Sequence, residues 1–474
     1  CCDADPLMLR RRADWIWQYR KAEWIAFHVQ RWTRFFEKFV RRLHASDKQA
    51  FFNSAWTRDP FEAIYRYGID YRCIARTGID GCIVEDMSDV LPILSSRDNH
   101  YQMSEEQRNK THDAFLTALM LNRAAMPRLQ LLNLASVHDT MEQWGVLEHM
   151  PTAMTRNVIS NLNTFIWTGQ RWTPVTQGPL FCLADALEAS DWQFIRNNWN
   201  VGYTPEVLAV SGLTLVWSDS CLDQEINAFL ESRRTPTHKI VAELLYARAP
   251  VNAITRIEHL DHLTGPVLVS NYDLMSPSDQ EKIAAYQGGD LYFIGQMDQA
   301  DLPNRSAKKT LAVEKNTFGD MVLFATPVTL AQETVILENK EPYDVNPRTI
   351  REPLQALWTH PLHFQPISNA FYQTCADLII RRTGSPRIDI KSSPDRSQKR
   401  SACQMIAVKT AEKTWKIAVG NEDYFYHHPV VDMHLPIQQI TCLTKYRGYK
   451  VECSGSTFSA RIPGRGMEVF ELRL

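Results

Sequence analysis

The sequence predicts an α/β chain built from the C-terminal half of a (β/α)8 barrel, then a Rossmann-like α/β domain, then an antiparallel β-sandwich. Three observations carry this. Short apolar runs end in polar or acidic groups, as in Phe51-Phe52-Asn53, Cys82-Ile83-Val84-Glu85-Asp86 and Leu131-Leu132-Asn133-Leu134 onward to His138-Asp139. Long amphipathic segments separate these runs, so buried strands recur with reactive groups at their C-terminal ends, the ground plan of a parallel barrel. After about Thr329 the pattern turns to alternating apolar and polar residues, the period of half-buried antiparallel strands.

Residues 9–43 read as one long helix, because Trp15, Ile16, Tyr19, Trp24, Ile25, Phe27, Trp32, Phe35, Phe36 and Val40 recur near helical spacing among Arg and Lys. A strand at 49–53, a helical stretch at 61–75 and a strand at 81–85 follow, the last introduced by Gly78-Ile79-Asp80-Gly81. That βαβ rhythm implies parallel strands. A helix at 104–124 leads to a strand at 128–136, and a helix at 154–161 leads to a strand at 164–167. Four strands are half of a barrel, which takes eight strands and about 250 residues. Either the other half lies outside this sequence or further strands went uncounted; the start at Cys1 rather than Met favours the first. Residues 1–200 are assigned to the barrel half. The runs Leu213-Thr214-Leu215-Val216-Trp217, Val267-Leu268-Val269-Ser270 and Leu291-Tyr292-Phe293-Ile294, with a strand at 251–255 and helices at 224–232 and 278–286, assign 201–328 to the Rossmann-like domain. No G-x-G-x-x-G occurs there, so no dinucleotide site is expected. Residues 329–474 form the β-rich region that ends in the sandwich, with strands at 415–420, 440–444, 449–453 and 469–472. Residues 391–399, rich in Ser, Pro, Asp and Arg, read as a loop.

A chain of 474 residues with 44% hydrophobic content can bury large cores. Its 52 Lys+Arg and 54 Asp+Glu nearly cancel, and a basic face for phosphates is not expected, so nucleic acid is not a predicted partner. The ten cysteines are scattered apart from Cys1-Cys2, with no recurring C-x-x-C pair at zinc spacing, and read as reduced thiols of a cytoplasmic protein. No apolar stretch reaches the roughly 18 residues of a membrane span, and no signal peptide is visible.

In a parallel barrel the strand ends face one pocket, so Asn53, Glu85, Asp86, His138 and Asp139 are expected to converge. Glycoside cleavage needs two carboxyl groups, one protonated and one ionised, about 5–5.5 Å apart in retaining enzymes. Glu85 and Asp86 close a strongly apolar strand, where burial raises the pKa of a carboxyl; the bland alternative is that they cap the next helix. Asp139 and Glu142 follow the next strand beside His138 and Trp144, and are otherwise solvated loop acids. Trp56, Arg58, Trp144, Trp167, Arg171 and Trp172 supply flat apolar faces and hydrogen-bond donors of the kind a sugar requires, or else pack loops onto the rim. A metal hydrolase would need His138 and Asp139 with a further ligand; no cofactor is expected.

In domain order, and in the pieces Asn53-Ser54-Ala55-Trp56-Thr57-Arg58, Gly81-Cys82-Ile83-Val84-Glu85-Asp86, Pro266-Val267-Leu268-Val269-Ser270 and Ala285-Tyr286-Gln287-Gly288-Gly289, the chain resembles the three-domain β-galactosidases of glycoside hydrolase family 42 and their relatives. The resemblance implies a retaining exo-β-glycosidase acting on a terminal sugar of an oligosaccharide or glycoside, and a homo-oligomer, often a trimer. It also implies an acid/base glutamate after the fourth barrel strand, hence before Cys1, and a nucleophilic glutamate after the seventh. Here the third strand of the chain has Asp139 and Glu142 nearby but no glutamate directly at its end. The alternative function is a catalytically inactive carbohydrate-binding or scaffold protein.

Overall fold

The computed structural model describes residues 5–54, 59–86, 88, 104–141, 143–305, 307–328, 333–350, 362–389, 402–445 and 449–474. Trp56, Arg58, Glu142 and the loop at 391–399 lie outside the described residues.

Four strands, Phe51–Asn53, Gly81–Asp86, Gln130–Asp139 and Pro179–Ala184, pair in that order and all run parallel. Parallel neighbours require crossovers, and the helices Glu105–Ala125 and Pro151–Leu162 lie in two of them. Helix Glu105–Ala125 starts on a reciprocal cap, with the Ser104 hydroxyl accepting from Gln107 N–H and the Gln107 side chain accepting from Ser104 N–H. Side chains alternate across a strand, which separates two faces. Phe52, Cys82, Val84, Leu131, Ala135 and Val137 are buried. On the other face, register aligns Asn53 with Ile83 and Leu132, and Glu85 with Leu134 and Leu180. There Phe51, Asn53, Ile83, Glu85, Leu132 and Leu180 all retain exposure.

The long N-terminal helix is in fact two, Pro6–Tyr19 and Lys21–His44, broken at Arg20 with φ −137°. The break lets Lys21 turn inward, where its ammonium sits 3.5 Å from the centroid of Trp17. Helix Lys21–His44 buries Ile25 and Val40 and sets Phe36 against Phe52, while Trp24, Phe27, Phe35 and Phe39 stay exposed. The helical stretch expected at 61–75 is likewise divided, because Gly68 adopts φ +63° between Ala63–Tyr67 and Tyr71–Ala75. A Cβ at Gly68 would overlap the His28 side chain of helix Lys21–His44. Gly68→Ala is expected to lose about 1–2 kcal/mol from the left-handed backbone alone, with the overlap adding to it; an unchanged urea midpoint would contradict this.

The strand expected at 164–167 exists as Phe165–Trp167 but belongs elsewhere. It pairs parallel with Ala253–Arg256, and its hairpin partner Trp172–Pro174 forms one edge of a second sheet. The fourth parallel strand of the first sheet is instead Pro179–Ala184. A short apolar run carries no mark of which sheet it will join, and this one is claimed by the buried Phe165–Ala253 pairing.

In the second sheet Thr214–Trp217, Ala253–Arg256, Val267–Ser270 and Leu291–Gly295 run parallel and are buried almost throughout, as strands covered on both faces must be. Leu291–Gly295 then pairs antiparallel with Met321–Thr326, which pairs with Lys309–Lys315. Val335–Glu338 adds the far edge and helix Asn369–Thr383 packs alongside, so this layer draws on residues past 328. The C-terminal sheets are antiparallel. One holds Gln439–Cys442, Met467–Arg473, Thr414–Asn421 and Cys403–Ala411, with Ala209–Val210 added at its edge. The other holds Arg387–Asp389, Val430–Asp432, Thr457–Ser459 and Cys453–Ser454. Val431 and Phe458 of one meet Ile417, Val419, Phe470 and Leu472 of the other in a shared core, a sandwich-like packing. The strand expected at 449–453 is confined to Cys453–Ser454. Among the described residues no helix is long and apolar enough to cross a membrane.

Candidate functional site

The C-terminal ends of the four parallel strands carry Asn53, Glu85, His138 and, one residue past Ala184, Asp185. Parallel pairing aligns the first two, and Asn53 Nδ2 donates to Glu85 Oε2 at 3.3 Å. Ser54 tightens the same corner: its hydroxyl accepts from Glu85 N–H at 3.3 Å, while Ser54 N–H donates to the Ile83 carbonyl at 2.8 Å. Glu85 is thus held half-buried beside an amide and a hydroxyl on the partly open face of the sheet. Asp86 closes the strand, and its side chain lies outside the described residues.

His138 shares the face of Glu85 by alternation but stands four residues beyond Leu134, the residue aligned with Glu85, or roughly 13 Å farther along the strand at 3.3 Å per residue. Its Nδ1 meets the Asp185 carbonyl oxygen at 2.7 Å. The Asp185 carboxylate accepts from Thr140 N–H at 3.1 Å and from the Thr140 hydroxyl. Those bonds hold its carboxyl below the usual range. Asp139 Oδ1 accepts from Met141 N–H at 2.7 Å, shaping the turn. Glu148 also reaches this corner, since a Cβ on Gly145 would collide with both the Glu148 carboxylate and the His138 ring.

Four expected sugar-contacting residues are placed otherwise. Trp144 is 2% exposed. It packs with Val137, Val146, Met154 and Val158 in the core under the third strand, so its ring is not a rim platform. Trp167 and Trp172 sit on the edge hairpin of the second sheet with ring centroids 5.3 Å apart, packed against that sheet's core, and Arg171 is the exposed turn between them. These three belong to a different sheet from Glu85.

Asp185 and Glu148 were not anticipated. Asp185 had a signal: Pro179-Leu180-Phe181-Cys182-Leu183-Ala184 is an apolar run closed by an acid, the same pattern that picks out Glu85. Glu148 had none, because only the hairpin at Trp144–Gly145 turns it toward His138.

No protein-family model and no curated protein matches the chain by sequence. Solved structures do overlap it. The apo exo-carrageenase GH42 from Bacteroides ovatus aligns at 10% identity and TM-score 0.48, over 98% of this chain and 57% of that one. The β-galactosidase of Rahnella sp. R3 aligns at 9% identity and TM-score 0.48, over 95% of this chain and 68% of that one. A rhamnosidase from Novosphingobium sp. PP1Y aligns at 8% identity and TM-score 0.42, over 88% and 40%. The chain spans little more than half the length of the first of these structures.

Proposed function

We propose that the chain is a glycoside hydrolase of the retaining exo-β type, in which the four parallel strands are half of a (β/α)8 barrel and their C-terminal ends form one wall of a sugar pocket. The observation that carries this reading is the Asn53–Glu85 pair on the partly open face of a parallel sheet. A carboxylate beside an amide can act on the anomeric centre while the amide holds a sugar hydroxyl. The half-barrel part rests on surfaces. The inner face leaves Phe51, Ile83, Leu132 and Leu180 partly exposed, and helix Lys21–His44 exposes Trp24, Phe27 and Phe35, as it would toward a neighbouring helix of a closed ring. The second carboxylate then comes from the opposite wall or from Asp86, Asp139 or Glu142.

A specific observation favours a second reading, a carbohydrate-binding protein without catalysis. Asp139 and Asp185 are engaged by their own loops through Met141 N–H and Thr140.

Hydrolysis of a panel of aryl β-glycosides, followed with calorimetric titration of the parent sugars, separates the two. Glu85→Gln is expected to reduce kcat by about 10²–10⁴, with Asp139→Asn and Glu142→Gln assayed in parallel. Sugar binding without hydrolysis would establish the second reading, and hydrolysis indifferent to all three substitutions would remove this site from consideration.

A further inference from the structure

We propose that Asp59, Glu62 and His238 bind one divalent transition-metal ion of the zinc type, joining the segment after the first strand to a helix of the second sheet. The site is independent of the sugar pocket and of the glycosidase reading.

The three side chains come from two layers of the fold. Asp59 caps the turn Pro60–Glu62, with Oδ1 accepting from Phe61 N–H at 2.9 Å and from Glu62 N–H at 3.1 Å. His238 lies in the first turn of helix Thr237–Tyr246, which packs against helices Glu105–Ala125 and Asn369–Thr383. Phe61 stacks on its ring at 4.9 Å and Phe364 meets it edge-on at 5.6 Å, so the imidazole plane is fixed. Nδ1 then faces Asp59 Oδ1 at 3.8 Å and Nε2 faces Glu62 Oε1 at 3.9 Å.

Those separations are too long for hydrogen bonds. A single ion takes only one of the two ring nitrogens. The Nδ1–Asp59 Oδ1 separation suits two donors sharing an ion, because ligands each about 2.0–2.2 Å from a metal can stand up to about 4.2 Å apart, and Glu62 reaches the same ion by a small turn of its carboxylate. One ligand atom from each residue lies within 4.8 Å of the other two. An independent observation points the same way. His238 Nδ1 is buried without a hydrogen-bond partner among the described residues, its side chain is 10% exposed, and it is aimed at the Asp59 carboxylate.

Arg66 lies close, on the other oxygen of Glu62. Its Nε donates to Glu62 Oε2 at 2.7 Å, so Oε1 is the oxygen turned toward His238. One imidazole nitrogen with two carboxylate oxygens is a borderline-soft donor set that suits zinc or manganese better than calcium, which takes six to eight oxygens. Glu62 is the most exposed of the three, at 16% of its side chain, and gives an ion its way in.

Chelator-treated full-length protein titrated with zinc chloride in a calorimeter tests this, with His238→Gln and Glu62→Gln alongside. Cysteines and exposed histidines take up zinc equally in all three proteins, so the difference between them isolates the site. Wild type is expected to bind one more equivalent than His238→Gln, and Glu62→Gln to hold that equivalent at least about tenfold more weakly. Zinc is expected to raise the thermal midpoint of wild type and to lose that effect in His238→Gln. Should His238→Gln fail to fold, the Glu62→Gln comparison decides alone. Equal stoichiometry and affinity in wild type and either folded variant overturns the site.

Discussion

Glu422→Ala is expected to destabilise the protein by about 3–5 kcal/mol, the range for stranding a buried charge. Glu422 follows the sandwich strand Thr414–Asn421, yet its partners come from other layers. Arg156 of helix Pro151–Leu162 donates to Oε2 at 2.5 Å, Arg465 Nη1 lies 3.7 Å from the same oxygen, and Gln404 Nε2 donates to Oε1 at 3.0 Å. The side chains of Glu422, Arg156 and Arg465 are 0%, 1% and 2% exposed. Burial alone would push the Glu422 carboxyl up, but Arg156 and its cationic neighbours win and hold it at about 2. Without the carboxylate, two guanidiniums confront each other out of water. Replacing both ends of the main pair, as in Glu422→Gln/Arg156→Met, is expected to lose less than Glu422→Ala, because a neutral pair avoids the charge desolvation that the ion pair only offsets. Urea or thermal denaturation of the variants measures this, and a loss under about 1 kcal/mol for Glu422→Ala would mean that the junction does not hold the sandwich to the first layer.

The strands were the most legible part of the sequence, and the reason is their short, dense apolar runs. Val267–Ser270, Leu291–Gly295 and Gly81–Asp86 sit within a residue or so of where their apolar runs place them. Pairing was less legible. Phe165–Trp167 and Pro179–Ala184 are both short apolar runs, and only three-dimensional neighbours decide that the first joins Ala253–Arg256 and the second joins Gln130–Asp139. Helix breaks escaped for a related reason: the amphipathic period runs straight through Arg20, where burial of Lys21 on Trp17 outweighs continuity. Of the candidate site, Asn53 and Glu85 were readable because parallel register aligns strand ends automatically. Trp144 was misplaced because an aromatic near a strand end looks the same in sequence whether it faces sugar or core. The Asp59, Glu62 and His238 cluster was invisible, since His238 lies far along the sequence from Asp59 and Glu62 and no motif spacing joins them.

His112→Leu is expected to flatten the loss of stability on acidification. His112 lies on helix Glu105–Ala125, is 1% exposed, and has no hydrogen-bond partner for either ring nitrogen among the described residues. Burial is the largest influence, followed by Arg156, with Glu422 opposing and Arg248 and Arg465 adding to the depression, and together they push the imidazole down to about 3. Arg248 is itself 3.2 Å from Asp113, the next residue on the helix. The unfolded chain protonates this histidine near 6.5, whereas the folded one does not until about 3. Between those values the unfolded state binds more protons, so the contribution is complete above pH 6.5 and falls as pH falls, by about 1.4 kcal/mol per pH unit. Glu422 adds a loss of the same sign only below its ordinary 4.5, which leaves pH 6.5 to 5 as the window in which His112 acts apart from Glu422. His238, pushed down by burial to about 4, adds a loss there equally in wild type and variant and cancels in the comparison. In that window wild type is expected to lose about 2 kcal/mol that His112→Leu keeps, while at pH 8 the two differ by less than about 1 kcal/mol, because the lost ring nitrogens had no partners to strand. Urea midpoints at pH 8 and pH 5 decide the matter: parallel losses in the two proteins would mean that the buried imidazole is already charged in the folded state and balanced by Glu422.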